Sequence, residues 1–168
     1  MRPAKYQDSP MAKVFAILIG VPLLVLLSPL IVLMLLGSVV TAILVHVAAW
    51  SLWCSRGKYV LLVYSDSTIW KSYFESDLIP RIRDKTVTLN WSQRRRWRPS
   101  LATLAFRRYG GRTRFNPVAF VFRPYRPVKT IRYYSAFKEY KRGDTASVDK
   151  LTAELLCILE SADARPAA

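Results

Sequence analysis

Polar and apolar positions are segregated along this chain of 168 residues. From Val14 to Ser55 there is no Asp, Glu, Lys or Arg, a run of 42 residues. A bilayer core needs only about 20 helical residues, so this run is close to twice one crossing. A single helix over 14–53 would be about 60 Å long, more than tilting absorbs. The pattern therefore predicts a transmembrane helical hairpin with spans 14–36 and 39–54, turning at Gly37-Ser38 and kinked at Pro22 and Pro29. Ser28-Pro29 is the competing turn, and the short second span also suits a re-entrant hairpin. A cleaved signal segment fits poorly, because its apolar core is only about 7–15 residues long. Trp50 and Trp53 are expected at headgroup depth, where amphipathic rings collect.

After Ser55 the pattern changes to short alternating elements. Residues 58–64 (KYVLLVY) read as a strand buried on both faces. Ser67 is placed to cap a helix carrying Trp70, Tyr73, Phe74 and Leu78 on one face, ending near Pro80. Residues 86–91 (TVTLNW) form a second strand, and Pro99-Ser100 open a short helix closed by Gly110-Gly111. Strands at 118–122 and 128–134 are joined by the turn-rich link Arg123-Pro124-Tyr125-Arg126-Pro127. Val148, Leu151, Leu155 and Leu159 line a terminal helix. The organisation is a tail (1–13), an anchor (14–54) and one α/β domain (55–168) in the order βαβαββα.

Charge sets the orientation. Residues 55–168 carry 23 basic and 10 acidic side chains. Arg2, Lys5 and Lys13 precede the apolar run while Arg56 and Lys58 follow it, so the positive-inside rule puts both termini and the domain on the cytoplasmic side of the membrane. Cys54 and Cys157 form neither a disulfide framework nor a metal motif, and no cofactor or metal site is expected. Cys54 beside Arg56 and Lys58 suits either reversible acylation or apolar packing.

The element order, with Asn116-Pro117 immediately ahead of the third strand, resembles the thioredoxin-like fold. In that family the first strand runs into a redox loop and a cis-proline precedes the third strand. The resemblance covers 57–162, makes 59–64 the first strand and gives Pro117 the loop-facing proline position. Where the family carries CxxC this chain has Ser67-Thr68-Ile69-Trp70, which implies the fold without its thiol chemistry.

Candidate chemistry clusters around two segments. Asp66 and Ser67 follow the first strand, at the end where α/β sheets bind ligands, so Asp66 suits a base or metal ligand and Ser67 a phosphate contact. The plainer alternative is a helix start favoured by its acidic residue. Asn90-Trp91-Ser92 matches a glycosylation acceptor, which a cytoplasmic domain never presents for modification. His46, inside the apolar run, reads as structural or interfacial. The strongest surface signal is 91–98 (WSQRRRWR), where Arg94, Arg95, Arg96 and Arg98 lie among Trp91 and Trp97, followed by Arg107, Arg108, Arg112 and Arg114. Arginine with tryptophan suits anionic lipid headgroups, and equally a nucleic-acid backbone with stacked bases.

These observations predict a membrane-anchored, non-enzymatic binding module that docks on anionic lipid and on a protein partner, as a subunit of a larger membrane complex. Two alternatives stay open: an enzyme on a phosphorylated or lipid-linked substrate using Asp66 and Ser67 with an arginine clamp, and a nucleic-acid tether.

Overall fold

A computed structural model of the protein describes residues 10–110 and 117–163. Two compact units are distinguished, one ending at Thr41 and the other beginning at Ala42. A single helix, α1 (Pro10–Leu52), takes up the apolar run, with Pro22 and Pro29 inside it. The turn expected at Gly37-Ser38 is not formed. A mid-helix glycine costs only about 1 kcal/mol, less than the several backbone hydrogen bonds a turn gives up in apolar surroundings. Thr41 Oγ1 instead donates to the Gly37 carbonyl at 2.7 Å, bridging the glycine within the helix.

The excess length of α1 has a different explanation. Residues 18–41 are exposed all round, a stretch about 36 Å long at 1.5 Å per residue. Within the second unit, however, Val45, Ala49 and Trp53 are buried in a cluster with Leu61, Phe120 and Phe122. Trp53 is thus a core residue of the domain, edge-on to Phe122 at 5.5 Å, and not a headgroup marker. His46 is half-buried nearby, its ring 6.3 Å from that of Phe122. Among the described residues α1 is the one helix long and apolar enough to cross a membrane. A short 3₁₀ turn (Cys54–Arg56) and Gly57, at φ 72, reverse the chain into the sheet.

The sheet has four strands, β1 (Val60–Tyr64), β2 (Thr86–Asn90), β3 (Val118–Arg123) and β4 (Arg126–Arg132), in the order β2-β1-β3-β4. β1 and β2 are parallel, whereas β3 is antiparallel to both β1 and β4. Every residue of β1 is buried, as its unbroken apolar run requires of a central strand covered on both sides. Side-chain alternation divides the core in two. Val60, Leu62 and Tyr64 face one cluster with Phe74, Leu78, Tyr133, Phe137 and Leu155. Leu61 and Val63 face the other, with Ala105, Phe106, Val118 and Phe120.

The first cluster is covered by the segment after β1 and by two C-terminal helices, α5 (Tyr134–Tyr140) and α6 (Ala146–Asp163). The segment after β1 is not the continuous helix expected. It runs as α2 (Lys71–Tyr73), a π turn (Phe74–Leu78), α3 (Ile79–Ile82) and a 3₁₀ turn (Arg83–Lys85). Pro80 does not end it, because it occupies the first turn of α3, where no backbone N–H is needed. The second cluster is covered by the last turns of α1 and by α4 (Leu101–Tyr109). Ser100 caps α4 through a reciprocal pair with Thr103, and the Tyr109 hydroxyl donates to the Ala42 carbonyl at 3.3 Å.

Candidate functional site

The loop after β1 and the turn after β2 leave the sheet at the same end, since the two strands are parallel and in register from Val60↔Thr86 to Tyr64↔Asn90. Pro117 reaches this end too, because Val118 of antiparallel β3 pairs with Val63. The candidate residues Asp66, Ser67, Pro117 and the arginine turn are thereby brought to one edge of the fold.

Asp66 works there as a tie. Its Oδ1 accepts from Asn90 Nδ2 at 2.9 Å and faces Lys71 Nζ at 3.1 Å. Its backbone N–H donates to Ser92 Oγ at 2.9 Å. The Asn90 hydrogen bond and then the Lys71 ammonium hold its carboxyl below the usual carboxylate value, so it is an engaged anion and a weak proton acceptor. The Ser67 hydroxyl accepts from the Ile69 N–H at 3.4 Å. The helix begins later than Ser67 suggests, with Trp70 at the capping position. Trp70 Nε1 donates to Ser65 Oγ at 3.2 Å, and its ring packs 5.9 Å from that of Phe137.

The residues 67–70 therefore present two hydroxyls and a half-buried indole, with no thiol. Cys54 lies elsewhere, its Sγ 3.7 Å from the Phe122 carbonyl. Cys157 is exposed on α6 and does not belong to that helix's apolar side. Among the described residues no group of His, Cys, Asp or Glu is arranged to hold a metal ion.

Asn90 starts the arginine turn by accepting the Ser92 N–H at 2.9 Å, an Asx-type cap of the 3₁₀ helix Trp91–Arg96. Trp91, Trp97 and Phe106 pack as a triangle, with centroid separations of 5.8, 5.5 and 5.7 Å. Trp97 Nε1 donates to the Asn90 carbonyl at 3.1 Å. Both indoles are half-buried supports that pin the turn to α4, with their rings engaged by protein. Arg94 lies over Trp91 at 4.9 Å, an ordering contact of a kind worth about 0.5–1 kcal/mol. Arg94, Arg95, Arg96 and Arg98 are exposed, as are Arg107 and Arg108 in the last turn of α4. None of the six is ion-paired with a carboxylate among the described residues. The turn is an aromatic-backed platform with exposed guanidinium groups, of which that of Arg94 also donates to the Trp91 carbonyl at 3.4 Å.

Pro117 is buried, and its carbonyl accepts the Tyr133 N–H at 3.0 Å. Arg112, Arg114 and the Asn116 side of the Asn116-Pro117 bond lie outside the described residues. Asn90, Ser92 and Lys71, which join the loop to the turn, were not among the expected site residues. The signal for the first two was Asn-x-Ser at a strand end, which reads as an Asx turn as readily as a modification site. No protein-family model, characterised protein or solved structure matches this chain.

Proposed function

We propose that the protein is a membrane-anchored binding module. α1 crosses the bilayer once, over the stretch exposed all round, and the domain docks through its arginine turn on anionic headgroups while meeting a protein partner within a membrane complex. The observation that carries this reading is the turn itself, with Arg94, Arg95, Arg96 and Arg98 exposed on a packed aromatic base. Each such base near an anionic leaflet is worth about 1 kcal/mol. Nucleic-acid binding is the weaker reading, because base stacking needs free aromatic faces and both indoles are engaged with Phe106.

The domain is read as a thioredoxin-like fold without redox chemistry. Supporting this are the sheet order β2-β1-β3-β4 with β3 antiparallel and Ser67 and Trp70 where a thiol pair would stand. One crossing places the N-terminus and the domain on opposite sides. We keep the domain on the cytoplasmic side, which its flanking Arg56 and Lys58 suit, so a single crossing moves the N-terminus to the far side, whereas the expected hairpin would have kept it cytoplasmic. Single cysteines at residues 5 and 56, in a Cys54→Ser, Cys157→Ala background, should react oppositely with an impermeant reagent in sealed cells.

Docking is tested on the full chain in proteoliposomes, with a donor dye on a cysteine replacing exposed Gln93 and acceptor-labelled headgroups. Energy transfer should rise when phosphatidylserine is added to neutral lipid. High salt should abolish that rise, and so should replacing all four arginines by Gln. Equal transfer on neutral and anionic vesicles would rule the reading out.

A further inference from the structure

We infer that the open edge of β4 takes an extended acidic segment of the protein partner, added to the sheet as a fifth strand. This rests on the binding-module reading above and gives its partner a chemistry. β2 and β4 are the two edges of the sheet, and an edge strand presents a row of N–H and C=O groups to whatever lies beside it. The edge of β2 is stoppered at both ends. Lys58 Nζ donates to the Thr86 carbonyl at 3.3 Å, and Trp97 Nε1 donates to the Asn90 carbonyl at 3.1 Å.

The edge of β4 is open. The Tyr133 N–H donates to the Pro117 carbonyl, which continues the register that pairs Val118 with Arg132 and Val121 with Lys129. Residues 129, 131 and 133 are therefore the ones that bond β3, and the main-chain groups of Thr130 and Arg132 point away from it. Both residues are exposed. Among the described residues no donor or acceptor meets those outward groups. A segment laid along this edge can take four hydrogen bonds from Thr130 and Arg132 alone.

The bases of β4 select the occupant. The strand carries Arg126, Lys129 and Arg132 and no carboxylate. Lys129 is matched by Glu154 of α6 at 2.6 Å, whereas Arg126 and Arg132 meet no carboxylate among the described residues. Beyond a register shift, Arg126 stands directly across from Arg123 of β3. Two bases so placed repel, and the Nε of Arg123 is buried with no acceptor among the described residues. A carboxylate arriving along the edge would accept from that orphan donor and neutralise the pair. A second copy of β4 would instead set three bases against three, which is how charged edges resist self-pairing.

The test uses the full chain in neutral detergent micelles. A dye-labelled peptide of alternating Val and Glu is titrated by fluorescence anisotropy, and amide exchange is read at single residues. The peptide should bind and slow exchange at Thr130 and Arg132, leaving Thr88 on the other edge unchanged. Thr130→Pro removes an outward N–H that β3 does not use. The sheet should persist in this variant, as exchange at Phe120 reports, while binding falls by roughly tenfold or more. Arg126→Gln and Arg132→Gln should each weaken binding by about threefold. Binding that leaves exchange at 130 and 132 unchanged, or that survives Thr130→Pro undiminished, would overturn strand addition and leave a charge contact. Equal binding of a Val-Gln peptide would overturn the acidic preference. Exchange at 130 and 132 that slows with protein concentration alone would make a second copy the occupant and contradict the inference. No peptide binding, with the position-93 dye still responding to phosphatidylserine, would overturn this inference and leave lipid docking; silence in both would remove both.

Discussion

The two faces of the sheet are covered by different kinds of helix. Over the first, the segment after β1, α5 and α6 are amphipathic, burying Phe74, Phe137 and Leu155 and turning mixed charge to solvent. Over the second lies the end of α1, apolar on both its inner and outer sides. Hydrophobicity alone cannot distinguish a helix residue that faces lipid from one that faces protein. Along α1 the distinction appears only where the chain meets the sheet face that it covers together with α4, and there the end of the apolar helix becomes part of the core.

Removing that cover should have the largest effect. A chain beginning at residue 55 loses Val45, Ala49 and Trp53 from the second cluster. Loss of a buried Trp alone costs about 3–5 kcal/mol, comparable to the ~5–15 kcal/mol total of a typical domain. The 55–168 fragment should lack a cooperative melt and near-ultraviolet dichroism, whereas 42–168 should keep both. Next, Phe74→Ala and Phe120→Ala, both at 0% exposure on opposite faces, should each cost about 3–5 kcal/mol in denaturant titrations. A much smaller loss at Phe120 would show that the second cluster is only loosely formed.

The largest pH effect should belong to the first face. Burial pushes the Tyr133 phenol well above its usual value of 10.0. A raised folded-state pKa gives stability that is full below pH 10 and lost above it, by about 1.4 kcal/mol per pH unit. Tyr133→Phe should reduce that alkaline loss, measured by denaturant midpoints at rising pH, and leave the smaller share of Tyr64, Tyr73 and Tyr109, whose phenols burial also raises. The smallest effect belongs to the second face: Ser100→Ala removes the cap of α4 and should cost about 1 kcal/mol.

Much of this fold is legible in sequence where pattern and burial agree. The unbroken run 60–64, the Pro99-Ser100 start of α4, the 118–122 strand and the apolar stripe of α6 each match their elements within a few residues. α5 was missed because Tyr133, Tyr134, Phe137 and Tyr140 are aromatics that favour strands, although Tyr133, Ala136, Phe137 and Tyr140 recur at helical spacing. The site was partly legible. The arginines are exposed, as their run suggests. The tryptophans beside them are held by Phe106, a residue of another element whose proximity no local pattern encodes. The length of α1 misled for the same reason, since the sheet that shares its last turns lies later in the chain.

Val47 and Ala49 test most directly whether the end of α1 belongs to the domain. They sit two residues apart on α1, one 47% and the other 0% exposed. In the full chain, amide exchange at Phe120 and Phe122 reads the stability of the sheet they adjoin. Ala49→Asn forces a larger polar group into the second cluster and should speed that exchange by a protection loss of roughly 3 kcal/mol. Val47→Asn should change it by less than about 0.5 kcal/mol. Equal exchange in the two variants would contradict the account and make α1 a tether with no part in the fold.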